Sequence, residues 1–119
     1  MDAKNENDRE FEAVCNELIQ LHQKKNSDYG DAYSEAYQKI GNGYAAGLLY
    51  NKVNRLISLL CHDKEQHVND ESVDDTLKDL ASYAIMLKMK LDKKRRAESM
   101  RREIRLDKSV YEVLNRHNL

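Results

Sequence analysis

Apolar residues recur every three or four positions along most of this 119-residue chain, and that period predicts helices rather than strands. A first stripe predicts a helix over about residues 8–25, ending at the turn-forming segment Asn26 to Gly30. A second predicts a short helix over about 31–40, which Gly41 to Gly43 ends, and a third predicts a helix over about 44–62. A polar connector follows, from His62 to Asp70.

The fourth stripe is the longest, and Asn69 or Asp70 is a suitable cap for the helix that it predicts. It runs without a breaker to about Arg105 and consists of Val73, Leu77, Leu80, Ala84, Leu87 and Leu91, followed by a charged segment. We therefore expect an all-α fold with a long C-terminal helix. The expected division is a helical domain at residues 1–91 and a basic helical extension at 92–119.

Neither the composition nor the N-terminus indicates export or membrane insertion. No run approaches 18 consecutive apolar residues, the length expected of a membrane-spanning helix. The first ten residues are polar and acidic, unlike a signal peptide. We expect a cytoplasmic protein, in the host cytoplasm if a phage encodes it.

The net charge of −1 conceals a strong asymmetry along the chain. Residues 1–80 carry 9 basic and 16 acidic side chains, whereas residues 81–119 carry 11 basic and 5 acidic ones. Such a dipolar chain could pair head to tail in an oligomer, or place a basic arm beside an anionic ligand or nucleic acid.

The fourth predicted helix opens with an acidic row, in which Glu71, Asp75 and Asp79 are spaced four residues apart. Residues at that spacing share a helix face, so their like charges repel. A divalent cation would relieve the repulsion, and carboxylate oxygens suit Mg²⁺ or Mn²⁺. The alternative is a solvated acidic turn that the helix dipole stabilises.

Two further segments carry candidate ligand-binding groups. The segment Lys24 to Gly30 contains Lys25 and Asn26, which suit a phosphate or ribose, beside Asp28 and Tyr29, whose ring suits a base. An ordinary helix C-terminus is the alternative there, because lysines complement the dipole and glycine suits the exit turn.

Lys52 and Arg55 interrupt an otherwise apolar stretch of the third predicted helix. They could be structural ion-pair partners of Asp75 and Asp79. They could equally bind the phosphates of a nucleotide whose metal sits on those acids. The sequence leaves both interpretations open.

Three stretches together resemble a phage and bacterial family, nucleotide modification associated domain type 1. The stretches are KKNSDYGDAY (24–33), GLLYNKVNRLISL (47–59) and NDESVDDTLKDLASYAIM (69–86). The family itself looks like a relative of the MazG-like all-α nucleoside triphosphate pyrophosphohydrolases. This resemblance implies a MazG-like helical bundle, a nucleotide held with Mg²⁺ in a helix-lined cleft, and a homo-oligomer, most simply a dimer.

MazG-like enzymes hold metal with a first ExxE and a later ExxD. Glu71 to Asp74 reads ExxD, whereas Lys52 to Arg55 stands where ExxE is expected. The resemblance implies Mg²⁺-dependent pyrophosphohydrolysis of a nucleoside phosphate, linked to nucleotide pools or DNA modification. The roles it implies are metal binding and catalysis by Glu71, Asp75 and Asp79, phosphate binding by Lys25, Lys52 and Arg55, and base or sugar contact by Tyr29 or Tyr83.

The missing ExxE supports a second hypothesis, a non-catalytic binder or sponge that sequesters a nucleotide-derived signal, as in phage anti-defence. A third hypothesis, a helical nucleic-acid-binding protein, depends only on the basic C-terminal extension and is the weakest of the three.

Overall fold

The computed structural model describes residues 5–29, 31–61 and 70–116, with the side chains of residues 28, 29, 70 and 71 outside the description. Within these ranges the chain forms four helices and no strand: α1 (Glu6–Tyr29), α2 (Ala32–Ile40), α3 (Asn42–Cys61) and α4 (Asp70–Arg116). The predicted all-α class is confirmed. None of the described helices combines the length and the apolar character needed to cross a membrane.

The predicted end of the first helix is wrong, because α1 continues through the turn-forming segment as far as Tyr29. The side chain of Asn26 forms a hydrogen bond of 3.1 Å with His22 Nε2, one turn earlier on the same helix. That bond engages the amide nitrogen of Asn26, one of the side-chain groups that can compete for backbone hydrogen bonds. Lys25 is also held by a partner on another helix, described below.

Local capping explains the limits of α2. The Asp31 carboxylate accepts a hydrogen bond of 3.2 Å from the backbone N–H of Ser34, as an N-cap does. At the other end Gly41 adopts a φ of 89°, and its N–H donates to the carbonyl of Tyr37 at 2.7 Å. Glycine adopts this left-handed conformation without the penalty that a Cβ imposes, so α2 ends there and α3 begins at Asn42.

The last helix is longer than the apolar stripe predicts and ends at Arg116. Neither glycine nor proline occurs after Gly47, so no residue type that stops a helix interrupts it. The apolar residues Val110, Val113 and Leu114 also belong to α4. The predicted connector, His62 to Asp70, lies outside the described residues except for Asp70, at which α4 begins.

Internal contacts divide the chain into two compact units, Met1–Ile85 and Met86–Leu119. The predicted domain limits at residues 91 and 92 stay a prediction. In the described part of the chain the buried side chains are Tyr37 and Ala45, with Thr76 as the buried polar one. All three lie in the first unit.

Candidate functional site

Asp79 belongs to the acidic row, and the fold connects it to two other helices. Its Oδ1 lies 3.0 Å from Lys25 Nζ on α1, and its Oδ2 lies 2.9 Å from Lys52 Nζ on α3. Three helices therefore place two ammonium groups on one carboxylate. We call Lys25, Lys52 and Asp79 the lysine–aspartate cluster.

The cluster keeps Asp79 ionised despite its partial burial. Loss of hydration by burial raises the pKa of this carboxyl, but hydrogen bonds and charge attraction from Lys52 and Lys25 together outweigh burial, so the pKa lies below its ordinary value of 3.8. At neutral pH the cluster holds two positive charges and one negative charge. It therefore retains one excess positive charge.

Arg55 lies on the same helix as Lys52 but has a different partner. Its Nε donates to Thr76 Oγ1 at 3.2 Å, and the Thr76 hydroxyl donates to the carbonyl of Ser72 at 2.6 Å. Lys52 therefore forms a structural ion pair with Asp79, one of the two interpretations that the sequence left open. In the described structure Arg55 forms no ion pair with Asp75 or Asp79.

Asp75, the neighbouring acid of the row, is not paired with the lysines that hold Asp79 in the described structure. Asp75 is exposed, and among the described residues it forms no ion pair; the Glu71 side chain lies outside the description. Asp74, on another face of α4, pairs with Lys78 at 2.7 Å, and Lys78 also approaches Glu17 of α1 at 3.6 Å. The described residues contain no group of three or more potential metal ligands.

The segment at the end of α1 contributes one described member of the cluster, Lys25. Asn26 is exposed, and its side chain is hydrogen-bonded to His22. Asp28 and Tyr29 belong to α1 by their backbone, but their side chains lie outside the description. Their predicted contacts to a base or ribose therefore stay predictions.

An aromatic cluster lies one helical turn along α4 from Asp79, at Tyr83. The Tyr33 ring of α2 is stacked with the rings of Tyr37 and Tyr83, with centroids 6.2 and 6.3 Å apart, and is tilted against Tyr44 of α3 at 5.7 Å. Burial is the largest cause that raises the pKa of the Tyr33 hydroxyl, and the nearby tyrosines raise it further. This hydroxyl is buried and has no hydrogen-bond partner in the described structure.

Two polar residues of this region do not appear among the sequence-predicted sites, Thr76 and Lys78. Thr76 follows Val73 by three residues and precedes Leu80 by four. This spacing places it on the inward stripe of α4 and predicts its burial. Lys78 follows Asp74 by four residues, a spacing at which opposite charges attract. Its second partner, Glu17, is far away in sequence and gives no such signal.

Together the fold and the cluster define an all-α protein in which three helices converge on charged side chains. The chain belongs to the family described as nucleotide modification associated domain 1, whose model matches residues 25–91. That range contains every site residue predicted above, from Lys25 to Tyr83. No curated protein and no solved structure matches the chain.

Proposed function

We propose that this protein binds a nucleotide, with the lysine–aspartate cluster receiving its phosphate. The observation that carries the proposal is the convergence of Lys25 and Lys52 on Asp79 from three helices, at 3.0 and 2.9 Å. Ammonium groups bind phosphate oxygens through charge-assisted hydrogen bonds. The excess positive charge of the cluster favours such an anion.

Asp79 is a positioning residue in this proposal. Lysine side chains are flexible, and ordering each of them on binding costs free energy. The carboxylate holds both ammonium groups near one point before a ligand arrives, which lowers that cost. Tyr83, four residues after Asp79, supplies aromatic surface for a base or sugar at a distance of one helical turn.

The test is nucleotide affinity measured by titration calorimetry on wild type and Lys52→Ala, with nucleoside mono-, di- and triphosphates. We expect Lys52→Ala to weaken binding at least tenfold, about 1.4 kcal/mol, with an unchanged helical circular-dichroism spectrum. Lys88→Ala is the matched control, because Lys88 also pairs with an aspartate but does so on an exposed surface of α4. Absence of nucleotide binding by wild type, or equal losses in both variants, would contradict the proposal.

Mg²⁺-dependent pyrophosphohydrolysis is a second candidate, favoured by the placement of Glu71, Asp75 and Asp79 at successive turns of α4. Their carboxylate oxygens suit Mg²⁺ or Mn²⁺. Because both Asp79 oxygens face lysines, a metal there would replace at least one of these contacts. A bound metal would polarise the phosphoryl group for attack by water, which breaks the phosphoanhydride and gives a nucleoside monophosphate and pyrophosphate from a triphosphate.

One assay distinguishes nucleotide binding from nucleotide cleavage. Wild type, Asp79→Asn and Asp74→Asn are incubated with nucleotides and Mg²⁺, and the products are resolved by chromatography. Pyrophosphate release that Asp79→Asn abolishes and Asp74→Asn retains supports the hydrolase. Recovery of intact nucleotide from a tight complex supports a binder or sponge that sequesters its ligand.

A further inference from the structure

The Tyr33 hydroxyl is a buried polar group for which the described residues supply no hydrogen-bond partner. Most buried hydroxyls of folded proteins are paired, because leaving one without a partner costs free energy. The neighbouring Tyr37 follows that rule, since its hydroxyl donates to the side-chain oxygen of Asn42. Packing therefore accounts for the ring of Tyr33 but not for its hydroxyl.

The hydroxyl belongs to a stack of rings close to the lysine–aspartate cluster. The Tyr33 ring lies nearly parallel to the rings of Tyr37 and Tyr83, at interplanar angles of 17° and 14°. Tyr83 follows Asp79 by four residues on α4, which is about 6 Å of axial rise. The ribose of a nucleotide spans a gap of this kind between phosphate and base. A phosphate on the cluster would therefore hold its base near the stack.

The chemistry of the Tyr33 hydroxyl suits the edge of a base. A phenol is both a donor and an acceptor of hydrogen bonds, and the raised pKa of Tyr33 keeps its proton in place at neutral pH. Nucleotide bases carry ring nitrogens, carbonyl oxygens and amino groups along their edges. The neighbouring rings supply apolar surface on which the face of a base can stack.

We propose that Tyr33 is a specificity-determining residue, whose hydroxyl forms a hydrogen bond with the edge of the nucleotide base. This inference rests on the nucleotide binding proposed above. The Tyr83 ring, which is half-buried, turns aside as the base enters and gives it access to the hydroxyl. In the free protein the unpaired hydroxyl raises the free energy of the closed stack, and pairing it with the base removes that cost. The lysine–aspartate cluster thus binds the phosphate, and Tyr33 favours ligands that carry a base over bare polyphosphates.

The test is Tyr33→Phe, which removes the hydroxyl and keeps the ring. The melting temperature of the free protein should rise by about 2 °C or more, because a buried group without a partner is removed. Titration calorimetry with the canonical nucleoside triphosphates should show an affinity lower by about threefold or more. Higher stability combined with weaker binding is expected when the ligand, and not the protein, supplies the partner. An equal affinity, or a lower melting temperature, would overturn the inference.

Inorganic tripolyphosphate identifies the part of the ligand that Tyr33 contacts. Tyr33→Phe should change the affinity for tripolyphosphate by less than about twofold, whereas Lys52→Ala should lower it as it lowers nucleotide affinity. Equal losses for tripolyphosphate and nucleotide in Tyr33→Phe would overturn the assignment to the base. If wild type binds no nucleotide, the proposed function itself fails. If wild type binds one and Tyr33→Phe binds it equally well, only the role of Tyr33 fails.

Two other tyrosines serve as controls. Tyr37→Phe removes a hydroxyl that donates to Asn42, so its melting temperature should fall rather than rise. Tyr50 of α3 is 66% exposed, and Tyr50→Phe should leave both the melting temperature and the nucleotide affinity unchanged within error. A rise in Tyr37→Phe as large as that in Tyr33→Phe would show that loss of either phenol stabilises the stack, and it would overturn the inference.

Discussion

Asp79 and Asp92 are two aspartates of the same helix, each with two cationic partners and each with a pKa below the ordinary value. The partners of Asp79 are Lys25 and Lys52, on α1 and α3. The partners of Asp92 are Lys88 and Arg95, four residues before it and three after it on α4 itself. Both sites pair one carboxylate with two cations, but the partners of Asp79 are distant in sequence and those of Asp92 are within four residues.

The Asp79 contacts therefore join different helices, whereas the Asp92 contacts lie on the surface of a single helix. The Asp79 side chain is 22% exposed and ties three elements together, whereas that of Asp92 is 33% exposed and its partners are both 75% exposed. Local pairs on a helix surface add little because solvent screens them and the ordering of long side chains opposes them. We expect the Asp79 pairs to gain more, since Lys52 and Lys25 are 26% and 51% exposed and each contact fixes one helix against another.

The largest effect is expected from removing the charge of Asp79, with Asp92 as the comparison. Asp79→Asn should lower the free energy of unfolding by about 1 to 2 kcal/mol, because two ammonium groups then lie close together without a carboxylate. Asp92→Asn should lower the free energy of unfolding much less than Asp79→Asn does, because the ion pairs of Asp92 lie on an exposed helix surface. Urea unfolding followed by circular dichroism at one fixed protein concentration measures both.

Equal losses in the two variants would contradict the comparison. A second control, Asp74→Asn, removes the local partner of Lys78 on α4 and leaves Lys25 and Lys52 untouched. Its effect should resemble that of Asp92→Asn rather than that of Asp79→Asn.

The second effect is the pH dependence of the Asp79 contribution. Because the pKa of Asp79 is lower in the folded state than its ordinary value of 3.8, the stabilisation is complete well above 3.8 and is lost as the pH falls through the folded-state pKa. The difference in unfolding free energy between wild type and Asp79→Asn should therefore be constant above about pH 5 and shrink below about pH 4. A difference that persists unchanged in acid would exclude ionisation of Asp79 as its source.

The local part of this architecture was predictable from sequence, and the long-range part was not. Periodicity predicted α2 closely, and Gly41 marked its end by a backbone conformation that glycine favours. Spacing also showed that Glu71, Asp75 and Asp79 lie in one helix. Each of these depends on residues within a few positions of one another.

The partners within the site depend on how helices meet, which spacing does not determine. The sequence offered Lys52 as a possible ion-pair partner of Asp75 or Asp79, but it named Lys25 only as a separate candidate, and the fold brings all three together. It also left Arg55 open between Asp75, Asp79 and a phosphate, whereas the structure places it on Thr76. The sequence places the end of α1 too early, because residue types alone show neither the Asn26–His22 hydrogen bond on this helix nor the ion pair of Lys25 with Asp79.

A smaller effect is expected at Thr76, the buried residue three positions before Asp79. Its hydroxyl accepts from Arg55 and donates to the Ser72 carbonyl, so Thr76→Val should lower the free energy of unfolding by about 1 kcal/mol. Thr76→Ser keeps both hydrogen bonds and should lose less than the valine variant. In the background of Arg55→Ala the cost of Thr76→Val should decrease, because one of the two bonds is already absent. Equal costs in both backgrounds would show that Arg55 gains nothing from this hydroxyl.

The smallest effect concerns salt, and it tests the comparison at Asp92 directly. At about 1 M salt the screening length falls to about 3 Å, so exposed ion pairs lose most of their attraction while partly buried pairs retain more of it. Lys88→Gln, which removes a partner of Asp92 with little change in helix propensity, should lower the melting temperature slightly at low salt and not at all at high salt. The difference in melting temperature between wild type and Asp79→Asn should keep more than half of its low-salt value at high salt. If salt instead removes the Asp79 difference as completely as the Lys88 difference, the two aspartates are equally solvated, and the contact that joins three helices is no stronger than one on a single helix surface.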